Sequence, residues 1–119
     1  MSWGCYVYAI GPEHGEAIKV GIAADPRQRL KQLQTGNPQR LSILRRWGPM
    51  DRAEAQRIEA DMHFLLGDFR ESGEWFSVCA QGASVAMWAV AEIPPGSPVI
   101  HDYRKSVVHV VGVIRQGKA

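Results

Sequence analysis

The chain has 119 residues, 45% of them hydrophobic and 22% charged, with a net charge of +2. That length suits one domain around one core, and the composition is ordinary for a soluble globular protein. No apolar run reaches the ~20 residues that span a bilayer, and the N-terminus MSWGCYVYAI lacks the basic start and long apolar region of a signal peptide. Cys5 and Cys79 have no CxxC spacing, so neither a disulfide framework nor a zinc site is indicated. Reduced, half-buried thiols in a cytoplasmic protein without a membrane partner are expected.

The net charge is too small to argue for a nucleic-acid partner, but its distribution is uneven. Between Pro26 and Ile58 stand eight cations (Arg27, Arg29, Lys31, Arg40, Arg45, Arg46, Arg52 and Arg57), opposed only by Asp51 and Glu54. Such a local excess suits a polyanion better than a small neutral ligand, although solvated helix faces would give the same pattern.

In chain order, Tyr6 to Ile10 alternates Tyr6 and Tyr8 with Val7 and Ala9, which predicts a short strand. The turn residues Gly11 to Gly15 separate it from a second strand over Ala17–Ile22, giving a hairpin. Asp25 and Pro26 then open a helix, with Asp25 as N-cap, Gln28 completing a capping-box pattern and Gly36 as C-cap. Leu30 and Leu33 mark its buried side. Gly36-Asn37-Pro38 turns the chain into a third strand, Leu41–Trp47, which ends at Gly48-Pro49. Asp51 caps a second helix whose Ile58, Met62 and Leu65 or Leu66 follow helical spacing. Arg70–Gly73 reads as a loop closed by Glu74-Trp75-Phe76, and Val78–Glu92 as an Ala-rich third helix. After the breaker Pro94–Pro98, Val99–His101 and the β-branched run Val107–Ile114 read as strands. An apolar strand of that kind is either central or in need of a partner.

Residues of several separate elements combine into a chemical constellation. Tyr6 and Tyr8 lie on the first strand, Lys19 on the second, Arg29 on the first helix, and Glu59 with His63 on one face of the second helix. One carboxylate can hold Mg²⁺ if the ion keeps several waters and takes oxygens from a substrate phosphate. Such a metal would offset charge on the phosphorus centre and the leaving oxygen, and Arg29 could bind a non-bridging oxygen. A tyrosine beside Lys19 is expected to have its pKa lowered by the cation, so that it could take a proton from an attacking water. Together these parts suffice for phosphodiester hydrolysis. Each also has an ordinary structural reading as a packed tyrosine, a solvated lysine or a helix-surface pair.

The segments YVYAI, IKVGIAADPRQRLKQLQTGNP and GEWF, in this order around Glu59 and His63, resemble the GIY-YIG nuclease superfamily. The resemblance covers roughly Tyr6 to Phe76 and is nearest to a compact, phage-associated branch. It implies an α+β fold, a small three-stranded antiparallel sheet flanked by helices, and Mg²⁺-dependent cleavage of nucleic acid. It matches Tyr8 to the tyrosine of the first half-motif, Arg29 to the helix arginine and Glu59 to the metal-binding glutamate. Lys19 stands where the second half-motif usually has tyrosine, and Leu33 where some members carry a histidine. The base is then Tyr8, with His63 assisting or only packing near Glu59. Trp75 and Phe76 are expected in the core, and Glu74 could fix the loop beside the site.

The resulting expectation is a metal-dependent endonuclease acting on DNA, with RNA also allowed. Tyr8 activates water, Arg29 and Lys19 hold phosphate, Glu59 binds Mg²⁺ (or Mn²⁺), and Tyr6 and His63 complete the expected catalytic set. Arg27, Lys31, Arg40 and Arg57 are the expected nucleic-acid contacts. A binding module with this fold and little catalysis is the alternative, and a structural or interaction protein a third reading. Residues 1–93 form the expected nuclease-like domain. Residues 94–119 form a C-terminal β extension that packs on the same domain or pairs with a second copy, and its Arg104, Lys105, Arg115 and Lys118 could touch DNA.

Overall fold

The computed structural model describes residues 4–15 and 17–117; Lys118 lies outside them. The hairpin forms as expected, from β1 (Cys5–Pro12) and β2 (Ile18–Ala23), antiparallel with Tyr8 opposite Gly21 and Ile10 opposite Lys19. Helix α1 (Pro26–Gln34) starts where the cap pattern puts it: the Asp25 carboxylate accepts from the backbone N–H of Arg27 at 3.1 Å and of Gln28 at 3.2 Å. Its exit turns at Gly36, whose φ of +78° lies in the left-handed region that favours glycine. Strand β3 (Leu41–Met50) runs past the expected end at Trp47, through a cis Gly48–Pro49 bond, and pairs antiparallel with β1. Helix α2 (Arg52–Leu65) is capped by Asp51, which accepts from Ala53 N–H at 2.8 Å.

Two corrections follow. The first concerns the sheet, which has five strands rather than three, in the order β3-β1-β2-β5-β4. The stretch read as a loop is a small hairpin, β4 (Arg70–Ser72) and β5 (Trp75–Phe76), turning at Gly73 and adding to the free edge of β2. The second concerns the tail. After α3 (Ala80–Glu92), residues Ile100–Gly117 form one helix, α4, and not a β extension. A homodimer through a C-terminal strand therefore has no strand to use.

The β-branched run was misleading because propensity is a weak signal beside burial. Tyr103, Val107 and Val111 repeat every four residues; the two valines are 2% and 1% exposed, and α4 lies against α2 and α3. Val111 sits over Gly82 of α3, where a Cβ would stand 3.6 Å from its methyls. No helix among the described residues is long and apolar enough to cross a membrane. Cys5 and Cys79 are free and buried more fully than expected.

The sheet separates two apolar clusters. Val7 and Ala9 of β1 and Ile18 and Val20 of β2 point to one face, where α2, α3 and α4 cover them with Ile58, Met62, Val90 and Val107. Tyr8 and Ile10 point to the other, where Leu30 and Leu33 of α1 cover a smaller cluster with Leu41 and Trp75. Period-two alternation along β1 and β2 makes this division.

Candidate active site

The candidate site lies at the open end of β2. Strand β5 pairs with β2 only through Ile18–Phe76 and Lys19–Trp75, then turns away at Glu74. The outward-facing Val20 peptide is left at the end of that ladder. Its N–H donates to the Glu74 carbonyl at 3.3 Å, while its carbonyl meets Nε2 of His63 from α2 at 2.7 Å. A carbonyl only accepts, so Nε2 carries a proton and is the donor. His63 thus ties α2 to the sheet, and its ring rests against Phe76 with centroids 5.1 Å apart.

Tyr8 reaches this place from β1 by crossing over Gly21. A Cβ at position 21 would lie 2.5 Å from the Tyr8 hydroxyl oxygen, so the glycine of Lys19-Val20-Gly21 is the space the phenol occupies. Tyr8 is 1% exposed, and burial raises its pKa above the ordinary 10.0. The Arg29 guanidinium interacts with the phenol and pulls the other way, while Glu74 and Glu59 add to the rise. This corrects the expectation of a lowered pKa set by Lys19. The cation facing Tyr8 is Arg29, and desolvation outweighs it.

Lys19 is the buried charged residue among those described, at 8% exposure, and its ammonium binds the Glu74 carboxylate at 2.7 Å. A charge taken out of water needs such a partner. The pair holds the Glu74 carboxyl below its usual range, chiefly through the hydrogen bond from Lys19. Glu59 behaves in the opposite way. It is half-buried, has no hydrogen-bond or ion-pair partner among the described residues, and burial pushes its pKa up. His63 and Lys19 partly offset that rise, and Glu74 adds to it.

The other expected residues divide. Arg29, half-buried on α1, donates to Gln32 at 3.1 Å and faces Tyr8. Tyr6 is held beneath the Arg46 guanidinium of β3, 5.0 Å from its ring centre, on the flank of β1 away from β2. Arg27, Lys31 and Arg40 are exposed, and the last two line a groove of about 630 Å³ with Leu30, Gln34 and Pro38. Arg57 is tied down by two acids, Asp61 at 3.1 Å and Glu54 at 3.5 Å, which leaves it the least available of the four proposed contacts. In the tail, Arg104 pairs with Asp68 and covers the Phe64 ring, and Arg115 covers Phe69.

Glu74 is the site residue that sequence reasoning underrated. Its position in GEWF hinted at a place beside the site, but its partner is 55 residues away, and only the β2–β5 register brings the two together.

Residues 5–90 match the T5orf172 domain, a phage-associated, nucleic-acid-related domain, and the chain belongs to that family. No curated protein and no solved structure matches it.

Proposed function

We propose that the protein is a metal-dependent endonuclease of the GIY-YIG type that hydrolyses phosphodiester bonds in DNA. One observation carries the reading: Tyr8, Lys19, Arg29 and Glu59, from four different elements, are linked in a chain of interactions at the open end of β2, Arg29 with Tyr8, Tyr8 with Glu59, and Glu59 with Lys19. A fold has no need to bring an unpaired carboxylate, a half-buried arginine and a buried tyrosine to one place.

The donor set fits Mg²⁺ or Mn²⁺. Among the described residues no group of three or more His, Cys, Asp or Glu is gathered for a metal. Mg²⁺ is commonly bound through one or two carboxylates plus waters and substrate phosphate. Glu59 is such a carboxylate, raised by burial and repelled by Glu74, and a cation would relieve both effects. The metal, when bound, supplies Lewis-acid stabilisation of the phosphorus centre and the leaving oxygen.

The chain's own groups do the rest. Arg29 donates to a non-bridging phosphate oxygen and stabilises the negative charge that builds there. Lys19 adds a second positive charge to the phosphate. Tyr8 holds its proton at neutral pH in the free protein, so its first role is to donate a hydrogen bond to phosphate or water. It can take a proton from the attacking water only as the phenolate, after further positive charge around it has driven its own proton into solvent. When its ring is neutral with Nε2 donating to the Val20 carbonyl, His63 is the second group able to accept one, at Nδ1. Arg27, Lys31 and Arg40 would hold the flanking backbone, as salt-sensitive contacts without base specificity.

The test is incubation with plasmid and with single-stranded DNA, in Mg²⁺, in Mn²⁺ and in chelator. Metal-dependent nicking should fall at least 100-fold in Glu59→Ala and Arg29→Ala, the usual scale for a charge-stabilising group. Tyr8→Phe tests the phenol: cleavage lost at every pH shows that its hydroxyl is required, as donor or as base, and cleavage kept in Tyr8→Phe but lost in His63→Gln assigns the base to His63. Salt-dependent binding of DNA with no cleavage under any metal would overturn the enzyme reading in favour of a binding module.

A further inference from the structure

We infer that Glu74 is a resident counter-ion for an anion site at Lys19, and that a backbone phosphate of the substrate takes its place there. The inference rests on the phosphate-binding reading of the site but not on catalysis. Its ground is an asymmetry within one ion pair. Lys19 is almost fully enclosed, its side chain 10% exposed, whereas the Glu74 side chain is 45% exposed. The lysine therefore cannot leave, and the carboxylate can swing into solvent at little desolvation cost.

A buried ammonium must keep an anionic partner, because stranding it alone costs far more than the pair contributes. An arriving phosphate meets that requirement, so exchange of one anion for the other keeps the charge of Lys19 compensated throughout. The ammonium has three donors, and Glu74 Oε1 is the side-chain acceptor it meets among the described residues, so a phosphate oxygen can engage before the carboxylate lets go. Arg29 lies close enough to interact with Glu74 as well, so the incoming phosphate is drawn by both cations against the repulsion of Glu74 and Glu59. The backbone of Glu74 does not need to move: its carbonyl stays on the Val20 N–H, and only the side chain swings. Glu74 is thus a positioning residue. It keeps the Lys19 ammonium paired and aimed in the free protein, and it sets a threshold that a weakly charged ligand does not pass.

The experiment is binding of a fluorescent single-stranded oligonucleotide in chelator, across a salt series, for the parent chain, Glu74→Gln, Lys19→Met and the double variant. Removing the competing anion should tighten binding by on the order of tenfold without changing the slope of log affinity against log salt, because the Lys19–phosphate contact is made in the parent chain as well, whereas Lys19→Met should flatten that slope by about 0.7, one phosphate contact on a single strand. In the Lys19→Met background the Glu74→Gln change should not tighten binding. Equal tightening with and without Lys19 would mean that Glu74 acts only as a general negative charge, and no tightening in either would mean that no exchange occurs; both overturn the inference. Thermal melts check that each variant is folded. On the unaltered chain, the ¹³C resonance of the Glu74 carboxyl should shift on adding oligonucleotide, and a resonance that stays put counts against the exchange. Cleavage is not read in any of these assays, so the inference and the endonuclease reading can fail separately.

Discussion

The two faces of the sheet are built to different ends. On the face beneath α2, α3 and α4, Cys5, Val7, Ala9, Ile18 and Val20 of β1 and β2 are apolar and nearly or fully dry, Ile22 at the strand end is partly buried, and three helices share the cover. On the face beneath α1, the same strands present Tyr8, Ile10, Lys19 and Gly21, and a single nine-residue helix covers only part of them. The first face buries area and holds the fold. The second ends at an edge where Lys19, Arg29, Glu74 and the Tyr8 phenol interact, with Glu59 approaching it from α2. Adjacent residues of one strand serve opposite purposes because their side chains alternate between the faces.

Substitutions on the two faces should therefore separate stability from function. The largest stability effect belongs to the dry face. Phe76→Ala, at a fully buried position, should cost about 3–5 kcal/mol in chemical denaturation. Next comes Gly21→Ala, which puts a methyl where the Tyr8 hydroxyl lies, 2.5 Å away. Moving the phenol aside should cost about 1–3 kcal/mol and lose most of the cleavage activity. If activity survives Gly21→Ala, Tyr8 does not act from the place it occupies.

The smallest effect has the opposite sign. Glu59 has a pKa raised above the ordinary 4.5, so its carboxylate is less favourable in the folded chain than in the unfolded one. That cost is absent below the unfolded pKa and grows as pH rises through 4.5 toward the folded pKa. Glu59→Gln should then stabilise the metal-free protein at pH 7 by on the order of 1 kcal/mol or less, with the gain vanishing below pH 4.5, while abolishing metal-dependent cleavage. Melts across pH 3–8 in chelator would show it, and a destabilised Glu59→Gln would mean that Glu59 supports the fold. Glu74 runs the other way. Its lowered pKa adds stability above 4.5 that is lost as pH falls through the folded value. Much of its side chain is in water, so that contribution is small.

What could be read from the chain followed the range of each signal. Asp25, Gly36 and Asp51 fix helix ends through contacts within a few residues, and all three ends stand where local chemistry puts them. The loop read over Arg70–Gly73 became a hairpin because two- and three-residue strands carry almost no periodicity and form only when a neighbouring edge is open to them. The tail misled because Val107–Ile114 matches strand preferences residue by residue, while the four-residue spacing of its buried positions becomes decisive only once α2 and α3 supply a surface.

The sequence by itself determined the hairpin, the capped helices and the candidates Tyr8, Lys19, Arg29 and Glu59, because alternation, caps and residue chemistry are local properties. Only the tertiary structure decided what surrounds them. It enclosed Tyr8 so that burial outweighs Arg29, gave Lys19 to Glu74, left Glu59 without a hydrogen-bond or ion-pair partner among the described residues, and used His63 to hold the edge of β2. Desolvation and pairing depend on which distant segments close over a group, and no spacing along the chain records that.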